Sequence, residues 1–337
     1  MKNKEFQIKH SFLKKYNGNA VNVVIPDGVT SIRDWVFCNR NCLTRIELPN
    51  SLTSIGNNAF RNCVNLKRIN IPNSVTYIGD NAFRNCPRLE NINIPNSVTI
   101  IGNGAFSGCK KIKNIDIPNS VTVIGKETFC DCIDLVNISI PNSVDTIDYG
   151  AFDGCINLVN INIPNSVTTI GDYVFRDCNG LTSIKIPNSV TEIGEYTFSG
   201  CKNLASINIP SSITFIEQCA FEGIKKVKPK YKSNGSLRAF KAFNADWTCR
   251  NFQYKVGQSY HQNGVIECCK NGFHACTNPL DVFNYYHDYV NALRFAEVEL
   301  RGKKDWVKDK VAASDIRIIR ELTASELAEI YNSMEKV

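Results

Sequence analysis

A proline recurs every 23 residues through most of the chain, at Pro26, Pro49, Pro72, Pro95, Pro118, Pro141, Pro164, Pro187 and Pro210. A fixed period of this length means one supersecondary unit stacked on copies of itself. Eleven residues after each proline stands a phenylalanine, from Phe37 to Phe221, without exception. Six residues after it stands an isoleucine, from Ile32 to Ile216, and three after it a Val, Leu or Ile, from Val29 to Ile213. In Ser-Val-Thr-x-Ile these apolar positions alternate with threonine, the pattern of a short strand with one buried face. The segment Leu-x-x-Ile-x-Ile-Pro, as in Leu66–Pro72 and Leu158–Pro164, reads as a second strand, closed by a proline that cannot donate to a ladder. One 23-residue coil cannot bury its own apolar face, so the columns must stack into one continuous core. The expected fold is mainly β: a solenoid of nine 23-residue coils over residues 21–224, with a second, smaller α+β domain behind it.

Fourteen residues after the proline runs a further column, Cys63, Cys86, Cys109, Cys132, Cys155, Cys178 and Cys201, replaced by Arg40 and Ile224 at its two ends. The chain holds 15 cysteines, but a disulfide scaffold belongs to short secreted chains. The first ten residues carry no apolar stretch of signal-peptide length, and no window approaches the roughly 18 apolar residues of a membrane span. A cytoplasmic location with reduced thiols is expected. Stacked side chains point the same way and not at each other, which is poor disulfide geometry. The column therefore reads as a buried ladder of small apolar thiols.

The pairs Ile71-Pro72, Ile78-Gly79 and Ala82-Phe83, followed by Cys86, resemble the BspA-like leucine-rich repeats. The resemblance spans about residues 6–224 and includes Phe6–Asn17, which looks like the hairpin that opens such arrays. It implies a leucine-rich-repeat solenoid and a role in adhesion or protein interaction, often at cell surfaces.

Side chains of Leu-x-x-Ile-x-Ile that the core does not use form columns on the exposed sheet. One reads Arg45, Arg68, Asn91, Asn114, Asn137, Asn160, Ser183 and Ser206; its neighbour reads Glu47, Asn70, Asn93, Asp116, Ser139, Asn162, Lys185 and Asn208. Binding hot spots favour Trp, Tyr and Arg, so Arg45 and Arg68 are the anchors of this face, with Asn91, Asn114, Asn137, Asn160 and Asp116 beside them. Asparagine columns also satisfy one another along a stack, a purely structural alternative. Trp35, Tyr77, Tyr149, Tyr173 and Tyr196 add aromatic candidates at the coil edges. A protein partner is expected, and no cofactor.

After Phe221 the repeat decays: Ile224, Val227 and Lys230 stand where cysteine, leucine and isoleucine are due. Residues 1–20 are then an N-terminal capping hairpin, 225–236 a basic linker or capping strand, and 237–337 the C-terminal domain. Of the net charge of +7, residues 1–224 contribute 20 basic minus 19 acidic side chains, or +1, and residues 225–337 contribute 19 minus 13, or +6. Asn278-Pro279-Leu280-Asp281 signals a helix start, with Leu280, Phe283, Tyr286 and Tyr289 as its apolar face. Strands are expected at Leu293–Arg301 and Asp315–Arg320. Thr323-Ala-Ser-Glu326 is a capping box that opens a last helix facing inward through Leu327, Ile330, Tyr331 and Met334.

The runs Lys241–Arg250, Gly272–Cys276, Asn278–Phe283 and Arg294–Leu300 resemble an uncharacterised domain family of phage and bacterial proteins, which implies no particular activity. Three sharper readings stay open for this domain. Glu297 and Glu299, alternate on one strand, with Arg238 and His274 or Thr277, match the residue types of an ADP-ribosyltransferase-like centre, an enzyme that the repeats would target. Cys249, Cys268, Cys269, His274 and Cys276 are all ligands suited to zinc, although no Cys-x-x-Cys pair occurs. Residues 225–255 hold nine basic side chains and one acid, Asp246, among Tyr231, Phe240, Phe243, Trp247, Phe252 and Tyr254, a composition suited to nucleic acid.

Overall fold

The computed structural model describes residues 5–90, 92–249, 252–268, 270–285, 293–308 and 310–337. It divides into two compact units, Met1–Thr182 and Ser183–Val337. Asn91, Arg250, Cys269, Tyr286 and Tyr289, all singled out in the sequence, lie outside the described residues.

In the first unit Phe6–Lys9 and Phe12–Tyr16 pair antiparallel, around a turn in which His10 and Ser11 take left-handed backbone. Leu13 then pairs in parallel with Ile32, and the register steps one period at a time to Ile55, Ile78 and Ile101. A second ladder runs from Val23 to Ile46 to Ile69. Identical residues from successive coils thus lie side by side, and the apolar columns close over one another. The Phe37 and Phe60 rings are 5.1 Å apart and within 3° of parallel. The stack continues through Phe83, Phe106, Phe129 and Phe152 to Phe175, all wholly buried. Tyr16 and Phe6 of the hairpin cover its first ring, so the hairpin caps the core.

The coil also needs two left-handed corners. Residues nine and thirteen after each proline have positive φ in every coil, for example Asn58 and Asn62, Asn81 and Asn85, Gly104 and Gly108. Asn, Asp and Gly dominate these positions because they tolerate that region best. The glycine of Ile-Gly answers a different need: a Cβ on Gly79 would sit 2.7 Å from the Asn57 backbone nitrogen, so the coils can approach only without it.

The second unit begins with two coils, in which Ser183–Lys185 pairs with Ser206–Asn208 and Glu192–Ile193 with Phe215–Ile216. Its sheet has five strands: β1 (Leu237–Asn244), β2 (Ser259–His261), β3 (Phe273–Cys276), β4 (Leu293–Val307) and β5 (Lys310–Leu322), followed by helix α1 (Ala324–Ser333). The order is β2-β5-β3-β1-β4, and β5 also pairs with β4, so β5, β3, β1 and β4 close on themselves. Leu237, Ala239, Phe243, Val298, Leu300, Val311 and Ile316 fill the interior.

The helix expected after Asn278 is a 3-10 turn, Pro279–Asn284, with the Asn278 side chain accepting from the Leu280 amide at 3.1 Å. From this turn the Phe283 ring meets Phe221 at 5.8 Å, tilted by 52°, and Phe295 at 5.3 Å, edge-on. The two expected strands are longer than their alternating cores, since β4 and β5 pair along nearly their whole length past a bulge between Arg301 and Lys304. The capping box of α1 is present. Segment 225–232 is an edge: Val227 pairs with Lys336, and the Lys228 amide donates to the Glu335 carbonyl at 2.9 Å. No helix among the described residues is long and apolar enough to cross a membrane.

Candidate functional sites

The exposed columns of the first unit form an open surface. Arg45 and Arg68 are in parallel register, so two guanidinium groups share one side of neighbouring strands. Arg45 Nη2 also lies 3.1 Å from Glu47 Oε1, both side chains largely in solvent, a pair that contributes little to stability. These three residues, with Asn70, Asn93 and Asn114, line a depression of about 920 Å³. Asp116 lines a neighbouring one of about 510 Å³ with Asn73, Asn93 and Asn96. Further along, Asn137 Nδ2 donates to Asn114 Oδ1 at 3.0 Å, and Asn137 is in register with Asn160. The asparagines are thus partly spent on one another, whereas the arginines face outward.

The edge aromatics occupy costly backbone. Trp35, Tyr173 and Tyr196 stand nine residues after a proline with φ of 66°, 60° and 53°. A bulky residue there is an outlier, and such strain collects at binding sites. The Tyr173 ring lies 5.2 Å from that of Tyr149 and 4.9 Å from the Arg176 guanidinium, and Arg176 is bound by Asp153. Trp35 is 54% exposed.

Cys63, Cys86, Cys109, Cys132, Cys155 and Cys178 are wholly buried thiols outside any disulfide. Each thiol donates to a phenylalanine carbonyl of the preceding coil, as Cys63 does to Phe37 O at 3.1 Å and Cys132 to Phe106 O at 3.3 Å. Burial pushes the Cys109 thiol up to about 12.

In the second unit the sequence-selected residues separate into two places. Arg238 Nε binds Glu297 Oε1 at 2.8 Å, and Arg320 Nε reaches Glu297 Oε2 at 3.2 Å. Burial raises the Glu297 carboxyl, but the two arginines outweigh it and hold it below its ordinary value. Glu299, 3% exposed at its side chain, is bound by Ser236, Arg301 at 3.0 Å and Asn234 at 3.4 Å. Burial raises it too, and these bonds with Lys232 bring it down to about 2. Both carboxylates are saturated by the chain's own donors.

His274 lies elsewhere, in the wall of a cavity of about 550 Å³ that also includes Cys249 and Cys276 but not Cys268, Arg238, Glu297 or Glu299. No group of three or more His, Cys, Asp or Glu able to hold a metal occurs among the described residues. The wall also brings in Lys310 and Tyr285, which the sequence did not single out as a site, beside Lys241 and Phe252 of the basic, aromatic segment 225–255. Its available signal was Lys241, a charge that alternates in step with the core residues Leu237, Ala239 and Phe243.

A model of the BspA type leucine rich repeat region, in six copies, matches residues 7–135 and 99–228. A domain of unknown function, DUF7666, matches residues 237–330. Among solved structures the chain is similar to a leucine rich cell surface protein from Faecalibacterium prausnitzii A2-165, 26% identical over 65% of this chain and 84% of that one, with a TM-score of 0.44. It is also similar to the T. pallidum leucine rich repeat protein TpLRR, 26% identical over 64% and 85% of the two chains, with a TM-score of 0.36. No curated protein matches the chain.

Proposed function

The chain belongs to the BspA type leucine-rich-repeat family, and from that premise we propose that it is a protein-interaction scaffold whose exposed repeat face takes up a partner protein around Arg45 and Arg68. The observation that carries this reading is the depression of about 920 Å³ in which both arginines, in register on adjacent strands, stand with one acid, Glu47, among Asn70, Asn93 and Asn114. Arginine loses little on desolvation and forks onto carboxylates, which suits it to the centre of an interface. The partner this face fits carries acidic and polar groups. The strained aromatics at the coil edge, Trp35 and Tyr173, are the second contact area of the same reading. Residues 21–224 then present the surface, and residues 237–337 close its end.

Nucleic-acid binding through 225–255 is the competing reading, and the disposition of its cations weighs against it. Lys228 pairs with Glu335, Lys232 with Glu299 and Arg238 with Glu297, and Lys241 is buried. The test is affinity capture from host lysate with the full chain and with its R45E/R68E variant. A protein retained by the wild type and lost from the variant supports the proposal. Identical retention by both, or retention of nucleic acid alone, contradicts it.

A further inference from the structure

The turns of the first unit carry a charge pattern that the sheet face around Arg45 and Arg68 does not use. Residues eight to sixteen after each proline form the turns that lead from the second strand of a coil back to the first. In the first four coils, over residues 34–42, 57–65, 80–88 and 103–111, these turns hold six basic and two acidic side chains, a balance of +4. In the next three, over 126–134, 149–157 and 172–180, they hold two basic and six acidic, a balance of −4. All seven lie within one compact unit. Two ion pairs join the halves at their boundary, Arg84 with Glu127 at 2.9 Å and Lys111 with Asp134 at 2.8 Å. Away from it, charge is left over. Arg61, Arg88 and Lys110 on the basic side, and Asp131 and Asp177 on the acidic side, have no ion-pair partner among the described residues. Burial, with the charges of Asp131 and Asp177 added, raises the Asp153 carboxyl above its ordinary value despite its bond to Arg176.

A face that is basic at one end and acidic at the other is complementary to itself when reversed. A two-fold axis lying in the plane of contact and crossing the fourth coil sets the third coil against the fifth, the second against the sixth and the first against the seventh, with like positions facing. Arg88 then meets Asp134 of the second copy, Lys126 meets Asp80 and Arg61 meets Asp153, and symmetry forms each pair twice. Val64, 37% exposed, meets Ile156, 38% exposed, an apolar contact inside the charged frame. The like-charge contacts are fewer: Asp34 with Asp172, and Lys110 and Lys111 at the axis, where Lys111 already holds Asp134. The fourth coil carries Gly104, Ser107 and Gly108 where the third carries Asn81, Arg84 and Asn85, so two copies can approach at the axis without long side chains between them. Trp35 and Tyr173 fall at the two ends of the overlap and stay at its rim.

We propose that this turn face is the surface on which two copies of the chain associate, antiparallel, with the basic coils of one against the acidic coils of the other. Charge complementarity names the occupant: a purely acidic partner would leave the second half of the face opposed by like charge, and a purely basic one the first. Six steps of about 4.8 Å between coils make the overlap about 29 Å long.

Sedimentation equilibrium of the full-length chain in about 50 mM NaCl is expected to show a monomer–dimer equilibrium with a Kd on the order of 10 µM, as suits a small polar interface. In about 500 mM NaCl, where screening acts over a few ångströms, the Kd is expected to weaken at least tenfold. R88E and D134R each place like charges at both copies of one pair, and each is expected to weaken association at least tenfold. Mixed in equal amounts, the two variants form a heterodimer in which both pairs are again of opposite charge, and association of wild-type strength is expected to return. Arg88 is exposed and the Asp134 side chain is 25% exposed, and a chain that failed to fold could not be rescued by mixing. A monomer at all concentrations up to about 100 µM would leave the face to a different partner and overturn the assignment. So would a dimer indifferent to salt, single variants that associate like the wild type, or a mixture no stronger than its components.

Discussion

Asn332 repeats the bonds of an absent strand on Ile207: its Oδ1 accepts from the Ile207 amide and its Nδ2 donates to the Ile207 carbonyl, both at 2.8 Å. Ile207 lies at the centre of Ser206–Asn208, the last strand of its ladder, and an open strand edge is a template for association. Beside it, the Tyr331 hydroxyl bonds the carbonyls of Leu204 and Lys225. Helix α1 therefore closes the repeat edge through side chains that mimic backbone. Asn332→Ala is expected to cost about 1–3 kcal/mol, since two buried backbone groups lose their partners, and to raise concentration-dependent self-association. Denaturant melts and light scattering read the two effects, and a change under about 0.3 kcal/mol with no added association would contradict this role.

Phe129 stacks between Phe106 and Phe152 at 5.7 Å on both sides and has no exposed surface. Phe129→Ala opens a cavity between coils that its rigid neighbours cannot fill, and is expected to cost about 3–5 kcal/mol. A loss under about 1 kcal/mol would mean that the ring is not part of the core.

Thiol chemistry separates the cysteines. Alkylation proceeds through the thiolate, and burial keeps the Cys109 thiol protonated until about pH 12. At pH 8, Cys63 through Cys178 are expected to stay unlabelled in native protein, while exposed Cys42 reacts within minutes. Rapid labelling of most of the column in native protein would rule out its burial.

Glu299 makes stability depend on acid. Its folded value of about 2 lies below the ordinary 4.5, so its contribution is full above about pH 5 and fades as pH falls towards 2. That contribution is on the order of 2–3 kcal/mol. Glu299→Gln is expected to lower stability at pH 7 and to flatten the decline between pH 5 and 2. Parallel pH profiles of wild type and variant would contradict it.

Tyr173 pays for its position with left-handed backbone, which costs an L side chain roughly 1–2 kcal/mol and asparagine least. Tyr173→Asn is expected to leave stability unchanged or raise it by up to about 1 kcal/mol, while weakening partner retention. A clear loss of stability would make Tyr173 a structural residue instead.

The repeat was legible because its information is local and duplicated. Any coil, such as Ile71 to Cys86, shows which residues point inward, and the period shows what they meet. The same holds for the capping box, since Thr323 and Glu326 are three residues apart. The cap on Ile207 was not legible: Asn332 is 125 residues away and carries no pattern of its own. Glu299 misled by alternation, since β4 is buried on both faces and the loop Asn234–Ser236 covers what looked like a solvent side. The cavity escaped for a related reason, because it arises where two strands fail to pair, and no local motif records a missing pairing.

The most direct test of the scaffold account is photocrosslinking from two exposed positions of one coil, with a benzophenone amino acid at Asn114 on the sheet face or at Lys110 on the turn before it. The account expects the captured partner to crosslink from Asn114 and not from Lys110. Adducts from Lys110 with none from Asn114 would move the binding surface off the repeat face and contradict the central claim.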